Sequence, residues 1–309
     1  MPRLEVCAAP AHAAAGTNPR CQMTNPLPDQ PDLYAALRAS GAPAEDLPAL
    51  LAASSPEVQA RLAQVDQALL RAVLRAGQGQ EAIAGSSVIC AALHKAEIAP
   101  ILRPAPSHSD TIVLRADGTD PAMPAYSDPA FDAWFGATGA RYGLGPYGEK
   151  RSVYASAQFA DAASPERRTL HMGIDVFAPA MTPLYAPLPG VVRLVHYNAD
   201  PLDYGHTLIL EHEVGSLPVY TLYGHLAGTL PSLLQPGDTV VAGEPIAHLG
   251  HWHENGGWAP HVHFQIMTDM LAQTTNFFGV AHESLWDVWQ SICPDPDLML
   301  RLPAGLLDR

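Results

Sequence analysis

The sequence has little cysteine, little positive charge and no long apolar run, and each shortage excludes something. Its four cysteines, Cys7, Cys21, Cys90 and Cys293, are far apart and form no C-x-x-C pair. That argues against a disulfide framework and against a cysteine zinc site, and it fits a reducing compartment. No stretch approaches the roughly 20 apolar residues that a bilayer-crossing helix needs. The opening residues, MPRLEVCAAPAHAAAG, hold one arginine and an alanine-rich run without a continuous apolar core of signal-peptide length. The expectation is a cytoplasmic protein, with a periplasmic or secreted one as the alternative. Lysine and arginine number 17 against 31 aspartates and glutamates, a formal charge of -14, and no lysine follows Lys150. Such a surface repels nucleic acid, anionic wall polymers and anionic lipid, so none is expected as a partner.

What the sequence does hold is 48% hydrophobic residues over 309 positions, enough for a sizeable core and for one large and one small unit. Residues 1–30 are rich in alanine, proline and asparagine without periodicity and read as a disordered tail. From 31 to 103 the pattern is that of a small helical region. Ser55 and Pro56 supply a cap and a first-turn proline, and Val58, Leu62, Val65, Leu69 and Val73 then recur at helical spacing as far as Gly77. A run from Glu81 to Ala96 and a shorter one near Leu33 to Arg38 suggest a bundle whose apolar stripes are packing faces. Residues 104–149 read as a connecting segment with one strand candidate, Thr111 to Arg115. Its aromatics, Phe131, Trp134, Phe135, Tyr142 and Tyr147, are too many for a free linker, so it is expected to wrap the domain that follows.

That domain, 150–309, is a series of short β runs broken by glycine and proline. The strand candidates are Leu184–Ala186, Val191–Tyr197, His206–His212, Val219–Tyr223, Thr239–Val241, Ile246–Leu249 and Val262–Met267, and Trp286–Cys293 reads as a helix stopped at Pro294. Many short strands at this spacing indicate a mainly antiparallel two-sheet arrangement, which with the N-terminal helices makes the fold class α+β.

The chemistry-bearing residues lie in this half. His261-Val262-His263-Phe264-Gln265-Ile266 alternates polar with apolar, so a strand there sends His261, His263 and Gln265 to one face. His171 and Asp175 reach one point if the chain bends at Gly173. A catalytic zinc takes three nitrogen or oxygen ligands and leaves a fourth position to water. His171, Asp175 and one of His261 and His263 therefore suffice, and the other is free for proton transfer. His225, in Tyr223-Gly224-His225-Leu226, is a further candidate. H-E-x-x-H is absent, since His253-Glu254 and His282-Glu283 lack the second histidine, which argues against a glutamate base of that kind. His206 and His212 share a parity with Leu208 and Leu210, so at least one of them reads as a half-buried, hydrogen-bonded strand residue. His251 and His253 lie on the loop before the H-V-H strand, within reach of a substrate.

Five elements follow one another in order: His171 to Asp175, Gly190-Val191-Val192, Tyr223 to Leu226, Gly237 to Ile246 in the pattern G-x-x-V-x-x-G-x-x-I, and His261-Val262-His263. This set resembles the M23 family of metallopeptidases, the lysostaphin and LytM type, over roughly the C-terminal half of the chain. The resemblance implies a duplicated-hybrid-motif-like β domain with Zn2+ on His171, Asp175 and His263 and with His225 and His261 as catalytic histidines. It also implies hydrolysis of an amide bond in peptidoglycan-type or other small peptides. The sequence departs from the family at Val262, where leucine is usual. It also departs in the loop from His248 to Trp258, whose histidines and tryptophans replace a glycine-threonine type and bear on the substrate. Asn255–Pro260 and Ser291–Pro296 resemble a branch also found fused to class III aminotransferases, which implies an intracellular role and leaves a cytosolic amidase acting on a small peptide open.

Two other classes compete. Gly237 to Ile246 is also similar to the hammerhead of lipoyl and biotinyl carriers, but a carrier needs a lysine on an exposed turn and none follows Lys150. A non-catalytic M23-like binding or regulatory protein is the remaining alternative, and the presence of every ligand position favours catalysis over it.

Overall fold

The computed structural model describes residues 25–155 and 159–308. The expected disordered tail lies outside the described residues as far as position 24. Of residues 25–30, Leu27 is buried, its N–H donating to Ser54 Oγ at 3.0 Å, while Asn25, Pro26, Pro28 and Asp29 are exposed.

Helices come first: α1 (Leu33–Ser40), α2 (Leu47–Ala53), α3 (Pro56–Leu62), α4 (Gln67–Gly77) and α5 (Ser86–Lys95). The single helix expected from Ser55 to Gly77 is two. Asp66 breaks it, because its carboxylate accepts from the Ala68 and Leu69 N–H groups and caps a new start. The apolar stripe survives the break, since Val58, Leu62, Val65, Leu69 and Val73 are all buried. The second run starts late as well, at Ser86, where Glu81 accepts from the Gly85 and Ser87 N–H groups. Nor is there one bundle. Helices α1 to α4 share a core with one face of the sheet, whereas Ile89 and Leu93 of α5 belong to the core on the other face.

Strands β1 (Thr111–Val113) and β2 (Tyr142–Gly145) flank α6 (Ala130–Thr138). Next come β3 (Leu170–His171), β4 (Ile174–Phe177), β5 (Pro183–Tyr185), β6 (Gly190–Asn198), β7 (Gly205–Val214) and β8 (Leu217–Leu226). After α7 (Leu230–Leu233) follow β9 (Thr239–Val240), β10 (Pro245–His248), β11 (His261–Met267), β12 (Val280–Ala281), α8 (Trp286–Ile292) and α9 (Asp297–Leu300). One sheet has the order β1-β2-β4-β11-β8-β7-β6-β9, and β10-β5 and β12-β3 are two-stranded ribbons. Every pairing except β1 with β2 is antiparallel. The mixed α+β architecture around a mostly antiparallel sheet is thus as the strand pattern indicates. The connecting segment does more than wrap, because β2 pairs directly with β4. Its aromatics mostly pack, with Phe131 buried beside Phe177, while the Tyr142 and Tyr147 hydroxyls donate to the Pro104 and Cys293 carbonyls.

The pleat sorts residues between two cores. Leu208, Leu210, Tyr223, Val262, Phe264 and Ile266 point to the side covered by β5, β10 and α5. Ile209, Leu222 and Met267 point to the side covered by α1 to α4 and α8, where Trp289 is fully buried. Helices α1 to α4 are therefore a layer of the same folded body, on the face of β11 that carries His261 and His263, and α5 lies on the opposite face.

Candidate metal centre

Each side chain of the centre is placed by a local feature of the sheet. In β4, Ile174 and Val176 turn into one core, which leaves Asp175 on the opposite face. His263 in β11 is its direct register partner, and His261 lies two residues back on the same face. His171 ends β3, and the chain crosses to β4 through Gly173. A Cβ on Gly173 would lie 2.5 Å from His263 Cε1, so that position needs a residue without a side chain.

His225 is the exception to the alternation. On β8, Leu222 and Gly224 share the metal-site face, so a regular strand turns Tyr223 and His225 away from it. Tyr223 does so, but His225 has φ of 65° and is carried into the site. Its backbone is held there from both sides, its N–H donating to Tyr204 O and its carbonyl accepting from Gly250 N. Histidine is among the non-glycine residues that tolerate this left-handed region best.

His171 Nε2, Asp175 Oδ1 and His263 Nδ1 form a triangle with edges of 2.9, 3.1 and 3.2 Å. Bonds of about 2.0 Å around a tetrahedral ion put ligand atoms about 3.3 Å apart, close to these separations. The tautomers favour a cation at this point. His171 Nδ1 lies 2.9 Å from the Pro146 carbonyl, which only accepts, so Nδ1 carries the proton and Nε2 a lone pair. Gln265 Nε2 donates to Phe278 O at 3.0 Å, which turns Oε1 toward His263 Nε2 at 2.9 Å. His263 therefore donates from Nε2 and points the lone pair of Nδ1 inward. Two lone pairs and a carboxylate oxygen then face one another with no proton among them, an arrangement that suits a positive ion. Two imidazole nitrogens and a carboxylate oxygen are a donor set that suits zinc. Among the described residues, these three are the one group of histidine, cysteine or acidic side chains placed to share an ion.

His261 and His225 border the same point. His261 Nε2 is 3.9 Å from Asp175 Oδ1, and the rings of His225 and His261 are 4.3 Å apart. His261 Nδ1 donates to Ala259 O and His225 Nδ1 to Asn255 O, both at 2.7 Å, so each keeps a lone pair on Nε2. Asp175, His225, His261 and His263 line a cavity of about 310 Å³, and His171 is wholly buried behind it.

The comparisons with known proteins fall on these strands. Residues 169–275, about a third of the chain, match the model of peptidase family M23. The chain carries a peptidase family M23 domain. Among solved structures, a zinc-containing peptidase from Vibrio cholerae is 30% identical over 32% of this chain and 28% of its own, with a TM-score of 0.27. The catalytic domain of the antimicrobial peptidase lysostaphin from Staphylococcus simulans is 20% identical over 50% of this chain and 96% of its own, with a TM-score of 0.31. The catalytic domain of a variant of the prophage-encoded M23 protein EnpA from Enterococcus faecalis is 22% identical over 44% and 84%, with a TM-score of 0.28. Less than a third of the Vibrio peptidase's length is therefore matched. Nothing among curated proteins matches the chain.

The M23 domain holds its polar cluster out of water, and protonation follows. Burial pushes His171 and His261 down to about 4. Burial, and then His261 beside it, holds His225 well below the ordinary histidine range. Burial alone would raise the Asp175 carboxyl, but His171 and Arg151 outweigh it and keep that carboxyl well below its usual value. An unfolded histidine titrates near 6.5, so the unfolded metal-free chain binds more protons than the native one between about pH 6.5 and 4. The stability contributed by neutral His171 and His261 is present above that window and lost as the pH falls through it, by up to about 3 kcal/mol per ring. Urea midpoints of metal-free protein are expected to fall steeply from pH 6.5 to 4. A midpoint that does not move across this range would contradict neutral buried rings.

Several residues of the centre escape sequence reasoning. Arg151 and Glu149 stand about 20 positions before His171 in a segment with no regular pattern. Asn255 is wholly buried, its Oδ1 accepting from the Gly257 and Trp258 N–H groups while its carbonyl fixes His225. Gln265 had a usable signal, because it shares the parity of His261 and His263. Of the other histidines weighed in the sequence, His212 is buried between Pro189 O and Thr221 Oγ1, a structural position. His251 and His253 are exposed, stack 5.7 Å apart and, among the described residues, do not line the cavity. Cys90 and Cys293 are free thiols, and Cys7 and Cys21 lie outside the described residues.

Proposed function

We propose that the protein is a zinc-dependent peptidase that hydrolyses an amide bond in a small peptide, including peptides of the peptidoglycan type. The observation that carries this reading is the proton-free triangle of His171 Nε2, Asp175 Oδ1 and His263 Nδ1 beside two further histidines whose Nε2 lone pairs are free. When bound there, zinc supplies Lewis acidity toward water and toward the scissile carbonyl.

The chain's own residues supply the rest. His225 and His261 are held neutral by burial and tautomerically fixed by carbonyls, so each can take a proton only at Nε2. One accepts the proton of the attacking water. That proton then passes from its Nε2 to the departing amine, so the acyl product keeps the water oxygen and the amine gains the proton, while the other ring borders the reacting carbonyl. Trp258, Phe277 and Phe278 line the cavity and limit water beside the reacting bond. A volume of about 310 Å³ is at the small end for ligand sites and suits a few residues of peptide.

The test is elemental analysis of the purified protein together with mass spectrometry of muropeptides and small peptides incubated with the zinc-loaded form. One zinc per chain and a product pair whose masses sum to substrate plus water are expected. Stoichiometric zinc without any cleavage across the panel would favour a binding protein, and absence of zinc affinity would end the proposal.

A further inference from the structure

The carboxylate of Asp175 has two oxygens, and the fold treats them differently. Oδ1 stands in the triangle with the two imidazole nitrogens, whereas Oδ2 accepts from Arg151 Nη1 at 2.7 Å. Arg151 is itself held through Nη1, Nε and its backbone, while its Nη2, among the described residues, is buried without a hydrogen-bond partner. Its Nε donates to Glu149 Oε2 at 2.7 Å, and Glu149 Oε1 accepts from the Ala116 N–H at 2.8 Å. Its Cζ lies 5.5 Å from the Tyr126 ring centre. Gly145, paired with Asp175 in the sheet, leaves the space for Nη2, since a Cβ there would be 2.6 Å from that atom. The backbone sets the register, with Arg151 N–H donating to Thr169 O and His171 N–H donating to Glu149 O, so the arginine is indexed to the strand that carries His171.

Both the arginine and its two carboxylate partners are at most 8% exposed. Burying three charges costs desolvation that their mutual attraction scarcely recovers, so the triad is a poor device for stability alone. It is a good device for geometry. A planar guanidinium spans two carboxylates through different nitrogens, which an ammonium cannot do with the same directionality.

We propose that Arg151 is a positioning residue that confines Asp175 to ligation through Oδ1 alone and so keeps a coordination position open for solvent or substrate. This rests on the metal reading of the site. Released from Arg151, Oδ2 turns toward the ion and fills the position that the reaction needs. Metal is retained and turnover falls.

The test replaces zinc with Co2+, whose visible absorption is intense in four-coordinate sites and weaker as coordination rises. Wild type is expected to bind one cobalt with an intense spectrum. R151Q is expected to bind one cobalt with a weakened spectrum, one more oxygen bound to the metal by X-ray absorption, and kcat lower by about 10- to 100-fold with little change in KM. E149Q, which keeps the guanidinium but loosens it, shifts both readouts in the same direction by less. A wild-type spectrum and turnover in R151Q would overturn the proposal. So would loss of cobalt from R151Q while circular dichroism shows a folded chain, because that makes the arginine a determinant of affinity rather than of coordination. If R151Q does not fold, E149Q decides by the same criteria. Failure of wild type to bind cobalt would instead sink the metal reading itself.

Discussion

His263→Ala is expected to lose the metal and the hydrolysis together, whereas His225→Ala and His261→Ala are expected to keep the metal and lose turnover. The difference follows from which nitrogens point where. His263 contributes one corner of the triangle through Nδ1, and its removal leaves one imidazole and one carboxylate, too few for a stable zinc site. His225 and His261 stand outside the triangle, their Nδ1–H groups already committed to carbonyls, so their loss removes a proton acceptor without touching a corner. General acid–base groups contribute about 10²- to 10⁴-fold, which is the expected fall in kcat for either. Zinc content measured beside kcat separates the classes. A His225→Ala protein without zinc, or a His263→Ala protein that still turns over, would reverse the assignment.

Gly173→Ala is expected to damage the centre nearly as much although it alters no ligand. The new methyl would sit 2.5 Å from His263 Cε1 and 2.6 Å from Nε2. The ring has nowhere to retreat, because Gln265 holds Nε2 at 2.9 Å and β11 lies between β4 and β8 in the middle of the sheet. Overpacking of a fixed core costs about 1–3 kcal/mol, and here the displaced group is a ligand. Urea denaturation should show that loss in the metal-free protein, and zinc titration should show weakened binding. Wild-type affinity in Gly173→Ala would mean that the ring moves freely and that the tautomer argument fails. Gly173 lies outside the positive-φ set, so space rather than backbone freedom makes glycine necessary there.

How far the centre could be read from the sequence depended on whether a residue's direction was set by its own strand. His261, His263 and Gln265 could be assigned one face because alternation is a property of extended backbone, and β11 obeys it, with Val262, Phe264 and Ile266 in the opposite core. His225 could be suspected but not aimed, because its alternation is reversed by a left-handed φ that the Tyr204 and Gly250 backbone contacts maintain. The helix from Ser55 to Gly77 shows the same limit. Its stripe of apolar residues is buried as the spacing requires, while the break at Asp66 comes from side-chain capping that competes locally with the helix.

Taken alone, the sequence determined the α+β class, most strands of the large sheet, the apolar faces and the short list of five side chains able to share a centre. These follow from periodicity and residue chemistry, which act over a few positions. Tertiary structure decided the rest. It set the helical layer against the histidine face and inserted β2 beside β4. It also brought Arg151 and Glu149 to the far side of Asp175 and chose the tautomers through the Pro146, Asn255, Ala259 and Gln265 contacts. The β2–β4 pairing, the helical layer and the Pro146 and Asn255 contacts join residues tens of positions apart, whereas Ala259 and Gln265 stand two positions from the rings they fix. A linear pattern holds no record of which distant atoms will fill a given space.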